Sequence, residues 1–149
     1  MGMNIFRSMD ISASALTAQR FRMDIIGENI ANATTTHTEK GEPYRRKFVL
    51  FQEKGHQTSF SEHLKSSLRS AGGGGVRAVS VEEDSLTPFK LVYDPEHPDA
   101  DEKGYVSYPN VDMEREMVDM ISATRAYEAN ITAINNFKNI AMKAMEIGR

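Results

Sequence analysis

DMEREMVDMISATRAYEANITAINNFKNIAMKAMEI, residues 112–147, is the stretch whose spacing decides the fold. Met113, Met120, Tyr127, Ile134 and Ala141 recur every seven residues, and Met117, Thr124, Ile131, Lys138 and Met145 follow at an offset of four. Alternating steps of four and three keep both series on one side of a helix, as the a and d positions of a heptad. Pro109 breaks what precedes, Asp112 is placed to cap the first turn, and Glu114 and Glu116 suit its positive end. Phe137 widens the apolar face to roughly 200°, more than one neighbouring helix covers. The helix would be about 54 Å long, longer than a compact domain of this size needs. Gly148 ends it.

The other end of the chain answers with a second heptad. Met9, Leu16, Met23 and Ile30 recur every seven residues, with Ala13 between them. Ile11, Ala18 and Ile25 form another series on roughly the opposite side, near Phe21. A helix apolar on two sides requires burial on two sides. Asn29 and Asn32 sit at i,i+3 before Thr34-Thr35-Thr36, whose side chains favour leaving the helix. Both asparagines have an ordinary reading as helix-end residues, Asn32 suiting the left-handed conformation there. The sharper reading has their amides, and that of Asn130, bonded to neighbouring backbone within an assembly of subunits so as to fix register. Arg125 and Glu128, beside Asn130, are spaced for an i,i+3 ion pair.

Between the helices the pattern changes to short strands. Tyr44 to Phe51, Val76 to Val81, Phe89 to Tyr93 and Gly104 to Tyr108 have the aromatic and β-branched content of a small β region. Ser59 to Ser70 is ambiguous, with Phe60, Leu64 and Leu68 on one face of a short helix, and Gly72 to Gly75 reads as a flexible loop tip. The fold class expected is therefore α+β: two long heptad-bearing terminal helices, pairing as a coiled coil, flank a β-rich middle. The divisions are residues 1–36, an N-terminal assembly helix; 37–110, the middle, with a flexible loop near 55–75; and 111–149, a C-terminal assembly helix.

Composition narrows the function. The chain has 149 residues, 18 Lys+Arg against 21 Asp+Glu, no Cys and no Trp. Absent cysteine excludes disulfides, thiolate clusters and a thiol nucleophile. A net charge of −3 argues against a general nucleic-acid surface. The longest run of large apolar residues, Phe48 to Phe51, is far below the ~20 needed to span a bilayer. No basic-then-apolar leader with a small-residue cleavage site is present, so no cleaved secretory signal is expected. Residues 71–116 hold four basic and eleven acidic side chains, concentrating the negative charge in the middle. Among them Asp94, Glu96, His97, Asp99, Asp101 and Glu102 form an acidic loop, but its spacing matches no calcium-loop pattern. No metal site, cofactor or catalytic residue is assigned.

Several motifs along the chain carry a family resemblance. Asn29-Ile30-Ala31-Asn32-Ala33-Thr34 resembles the asparagine motif shared by bacterial flagellar axial proteins, and Tyr108-Pro109-Asn110-Val111-Asp112 the motif that opens their C-terminal helix. Glu116 to Met120 and Arg125 to Asn130 continue the match. Gly41 to Lys47, and Tyr93 to Asp101 followed by Gly104-Tyr105-Val106, are similar to the proximal rod branch of that family. The resemblance implies a non-enzymatic subunit of the basal-body rod, exported by the flagellar type III system without cleavage and assembled helically to transmit torque. It places the protein in the basal body, outside the cytoplasmic membrane in the periplasm or cell wall. Implied partners are itself and other rod subunits, the inner-membrane ring with its junction protein, and the export apparatus; no nucleic acid and no small-molecule substrate. Residues expected in assembly and packing are Met9, Leu16, Met23, Asn29, Ile30, Asn32, Met113, Met117, Met120, Tyr127, Asn130, Ile131, Ile134 and Phe137. The competing readings are a coiled-coil adaptor and a small metal-binding module using loop 94–102.

Overall fold

The structure, a computed structural model, describes residues 2–54 and 74–147. In chain order it has α1 (Gly2–Ala31), β1 (Lys47–Glu53), β2 (Val76–Glu83), β3 (Lys90–Tyr93), β4 (Tyr105–Tyr108) and α2 (Met113–Ile147). The chain is α+β, with helices at both ends and strands between, as the periodicity implies. The short helix expected over Ser59 to Ser70 lies outside the described residues.

The strands form two separate antiparallel hairpins rather than one sheet. β1 and β2 pair from Lys47↔Glu83 to Glu53↔Val76, with a bulge between Leu50 and Phe51 that leaves Val79 unmatched. β3 and β4 pair without interruption from Lys90↔Tyr108 to Tyr93↔Tyr105.

The helices pack antiparallel: Asn29 meets Glu116 near one end, and further along Met23 receives the Thr124 hydroxyl on its sulfur at 3.5 Å. The β1–β2 hairpin lies along α1 on another side. Asn29 holds its start through Lys47, and the Ser14 hydroxyl accepts the Val76 N–H at 3.0 Å near its far end. Fifteen residues of helix separate those anchors, about 22 Å, close to the length of the hairpin. This explains the two apolar series of α1: Ala18 and Ile26 are buried, and the chain's own hairpin covers much of the second side. On that side Ala18 is buried and Ile25 half-buried, while Ile11 and Phe21 stay exposed.

Gly75 makes the close docking possible. Its φ is +111°, and a Cβ there would overlap the Ser14 hydroxyl. Lys54 donates its N–H to the Gly75 carbonyl at 2.7 Å, extending the hairpin by one step. The glycine run read as a loop tip therefore ends in a tightly held contact.

On α2 the buried and half-buried residues include the series Glu116, Met120, Ala123, Tyr127, Asn130, Ile134, Phe137 and Ala141, flanked by half-buried Asp119, Thr124, Ala126 and Ala133. It keeps the expected Met120–Tyr127–Ile134–Ala141 row but completes it at an offset of three. Of the offset-four row only Thr124 is half-buried and reaches α1, at Met23, and the rest of the row is corrected: Met117, Ile131, Lys138 and Met145 are exposed, as is Met113. Large apolar side chains at those positions drew the seam one residue off, because Glu116 and Asn130 are polar and Ala123 is small.

Buried apolar side chains among the described residues are few: Ala18, Ile26, Tyr44, Val106, Val111 and Ala123.

Candidate functional site

Two of the most completely buried side chains are polar, and they lie where the helices and the β region meet. Glu116 is 0% exposed and Asn29 1%. A carboxylate and an amide are buried together only when their hydrogen bonds are made, since an unpaired one costs about 1–3 kcal/mol or more.

Asn29 makes every bond its amide can. Its Nδ2 donates to the Lys47 carbonyl at 2.8 Å and to Glu116 Oε2 at 3.0 Å. Its Oδ1 accepts the Lys47 N–H at 2.9 Å and the Tyr44 hydroxyl at 3.0 Å. The amide thus pairs with both backbone groups of Lys47 as a neighbouring strand would, and starts β1 at that residue. Burial first, and then the negative charge of Glu28, raise the Tyr44 phenol above its ordinary range, so it stays protonated and donates.

Glu116 joins this amide to the residue just before β1, because Arg46 Nε donates to its Oε1. The same guanidinium reaches Asp119 at 3.5 Å, and Asp119 also accepts from Arg22 of α1 at 3.1 Å. Glu116 enters the site because Asp112 caps α2, accepting the Glu114 N–H at 3.2 Å on its carboxylate, which fixes where the first turn begins. Asn110 closes the arrangement from the segment before α2. Its Oδ1 accepts the Arg46 N–H at 2.8 Å, and its Nδ2 donates to the carbonyls of Asp84 and Thr87. Asp84 is itself ordered by the Thr87 hydroxyl and by backbone N–H groups, which hold its carboxyl below the usual range. Lys47 and Glu28 form an ion pair on the rim.

α1, the start of β1, the turn after β2 and the start of α2 are therefore tied by one continuous network. It holds no water-exposed nucleophile or acid–base pair, and its groups are used up by each other. What the arrangement does is set the angle and register between helices and β region.

The sequence singled out part of this. Asn29 does fix register, but within its own chain. Asn32 is an ordinary helix-end residue: its amide donates to the Glu28 carbonyl at 2.9 Å. Its backbone is not left-handed, since no described non-glycine residue has a positive φ, and that expectation is corrected. Asn130 likewise donates locally, to the Ala126 carbonyl at 2.8 Å. Met9, Leu16, Met23 and Ile30 are half-buried on α1, and Met120, Tyr127, Ile134 and Phe137 on α2. Glu116, Arg46, Tyr44 and Asn110 were not foreseen as site residues, although each lies inside a quoted motif. A carboxylate and an arginine within otherwise apolar patterning was the signal available.

The acidic loop is built differently from a ligand site. Asp101 Oδ1 accepts the N–H groups of Tyr105 and Lys103, the first of these being the main cause of its lowered pKa. Asp94 caps Glu96, and Asp99 accepts the Thr36 hydroxyl at 2.7 Å. Gly104, with φ +79°, turns the chain beneath Tyr93 and Pro95. The Asp94 and Asp101 carboxylates serve the backbone of the turn, and no described group of three or more His, Asp or Glu is arranged to hold a metal.

Comparison with known proteins supplies an independent line. The family described as flagella basal body rod protein matches residues 9–36, and that of flagellar basal body rod FlgEFG protein C-terminal regions matches residues 102–147. Flagellar basal-body rod protein FlgC of Bacillus subtilis (strain 168) is 52% identical, with 99% of this chain and 100% of that protein covered. The protein of the same name from Borreliella burgdorferi is 45% identical over 97% of this chain and 98% of its own length. That from Aquifex aeolicus is 40% identical over 97% of each.

Proposed function

Because the chain belongs to the FlgC family of flagellar basal-body rod proteins, we propose that the surface left uncovered by its fold is what joins it to neighbouring rod subunits. It is a structural subunit of the rod, located in the flagellar basal body, and not an enzyme. The metal-module and free adaptor readings are not favoured, since the chain belongs to the rod family and two of the loop's carboxylates, Asp94 and Asp101, are engaged by its own backbone.

The observation that carries the proposal is a stripe on α2. Met113, Met117, Ile121 and Ile131, followed by Met142, lie on one side of the helix beside the buried seam, and Met117 is 51% and Ile121 54% exposed. Apolar rows of this length on a helix mark a surface that packs against another protein. In the assembled rod the terminal helices, residues 1–36 and 111–149, pack with those of other rod subunits and of this protein in a helical array. The β region, residues 37–110, sits on that helical layer, its angle set by the Asn29–Glu116–Arg46 network. Torque is then carried through a rigid joint, because every buried polar group in it is bonded. Export by the flagellar type III apparatus without cleavage, a position outside the cytoplasmic membrane, and contact with the inner-membrane ring and its junction protein complete the reading.

Ile121→Asp tests the stripe apart from the fold. Ile121 points away from the seam, so the isolated variant is expected to keep its unfolding free energy in urea within about 0.5 kcal/mol. It should nevertheless be missing from purified basal bodies, and cells carrying it should not swim. Normal incorporation and swimming would remove the stripe from the interface.

A further inference from the structure

The β3–β4 hairpin leaves β3 as an open edge, with no described strand beside it. Its side chains are apolar and outward: Leu91 is 69% and Tyr93 65% exposed, and Val92 and the adjacent Tyr105 are exposed too. On the β4 side the hairpin is covered, since Val106 is fully buried. Edge strands are ordinarily blunted by a charge, a proline or a bulge. β1–β2 has its bulge; residues 91–93 have none of these.

The direction of the backbone groups on this edge follows from one bond. Asp94 donates its N–H across the hairpin to the Gly104 carbonyl at 2.9 Å. Strand alternation then turns the N–H and C=O of Val92 toward β4, and those of Leu91 and Tyr93 outward. Two donors and two acceptors stand on the free edge with the spacing of an antiparallel ladder.

We propose that the β3 edge pairs antiparallel with β3 of a second copy of this chain about a twofold axis at Val92. That register sets Leu91 opposite Tyr93 of the other copy, so the outward groups on both edges exchange their bonds. It also sets Lys90 opposite Asp94 of the other copy, at each end of the ladder. The strand is thus self-complementary in charge, in hydrogen bonding and in apolar content, and this selects a second copy over a foreign strand. A strand bringing acidic residues would meet the five carboxylates of residues 94–102. The product is a four-stranded sheet, β4–β3–β3–β4, with the Tyr93–Tyr105 pair and Leu91 of both copies merged on one face. Its ring pair already stands edge to face, centroids 5.3 Å apart.

A twofold contact uses the same patch on both partners and closes on itself. A polar helical array is built from head-to-tail contacts instead. The β3 pairing therefore belongs to the free subunit, and it holds two copies together through a surface distinct from the α2 stripe.

The absence of cysteine makes the test direct. In the proposed register the two Val92 residues form a non-hydrogen-bonded pair, Cα atoms about 4.5 Å apart, a spacing a disulfide spans. The full-length Val92→Cys protein, oxidised mildly with diamide, is expected to form covalent dimer at least about tenfold faster than Ser85→Cys, whose thiol would sit outside the strand. Leu91→Pro removes one outward N–H and no bond to β4, so it should sediment as a monomer where the unaltered chain sediments as a dimer. Ile121→Asp should still dimerise, which separates this contact from the helix interface. Equal cross-linking of the two cysteine variants, an unaltered chain that is monomeric throughout, or self-association undiminished in Leu91→Pro would overturn the proposal.

Discussion

Glu116→Ala is expected to destabilise the isolated chain by about 3 kcal/mol, at the lower end of what removing one member of a buried ion pair costs. The loss is larger than a surface glutamate at a helix start could produce. Arg46 would keep its charge with only Asp119, 3.5 Å away, as a partner, and one Asn29 donor would have no acceptor. Arg46 is 20% exposed in its side chain, so water recovers part of the loss and keeps it from the upper end of the range. Urea unfolding followed by circular dichroism measures the change. Glu116→Gln separates shape from charge: its amide retains an acceptor for Arg46 or Asn29, and the expected loss is about half as large. An alanine variant within about 0.5 kcal/mol of the unaltered chain would mean that the network does not join the elements.

Met120→Asp should have the other large effect, on both fold and assembly. Met120 lies in the seam between α1 and α2, one residue from Ile121 but on the buried side. An aspartate there loses the thioether packing and brings a charge into contact with α1, an expected cost of about 2–4 kcal/mol. The helices should separate while the β hairpins, with their own ladders, stay paired. Amide exchange would show fast helices and protected strands, and motility would be lost. Set beside Ile121→Asp, which should lose motility with its fold intact, the pair distinguishes the seam inside a subunit from the interface between subunits. A Met120→Asp protein that swims normally would place the seam elsewhere.

Much of the architecture was legible because it rests on periodicity. The terminal helices, the Asp112 cap and the four strands each follow from spacing or turn chemistry that local sequence carries. The seam of α2 was displaced by one residue for a physical reason. Side-chain size pointed to Met117 and Ile131, whereas the positions that face the rest of the chain include Glu116 and Asn130, whose burial depends on partners far away in sequence. The Asn29 network was visible only as motifs, because Lys47, Tyr44 and Glu116 reach it from segments that periodicity treats separately. The covering of α1 by the β1–β2 hairpin depends on Gly75 approaching Ser14, a contact sixty-one residues apart that no local pattern announces.

On the proposed function, the exposed apolar stripe and the few buried apolar residues share one explanation. The polar joint keeps the free chain in shape, and packing against neighbours in the rod would complete its burial and add stability there.

Hydrogen exchange at residues 113–142, compared between the isolated protein and the protein in purified basal bodies, tests that claim most directly. The account expects these amides to exchange more slowly in the assembly than in the free protein, with the gain in protection strongest from Met117 to Ile131. Equal protection of α2 in the free and the assembled protein would contradict it.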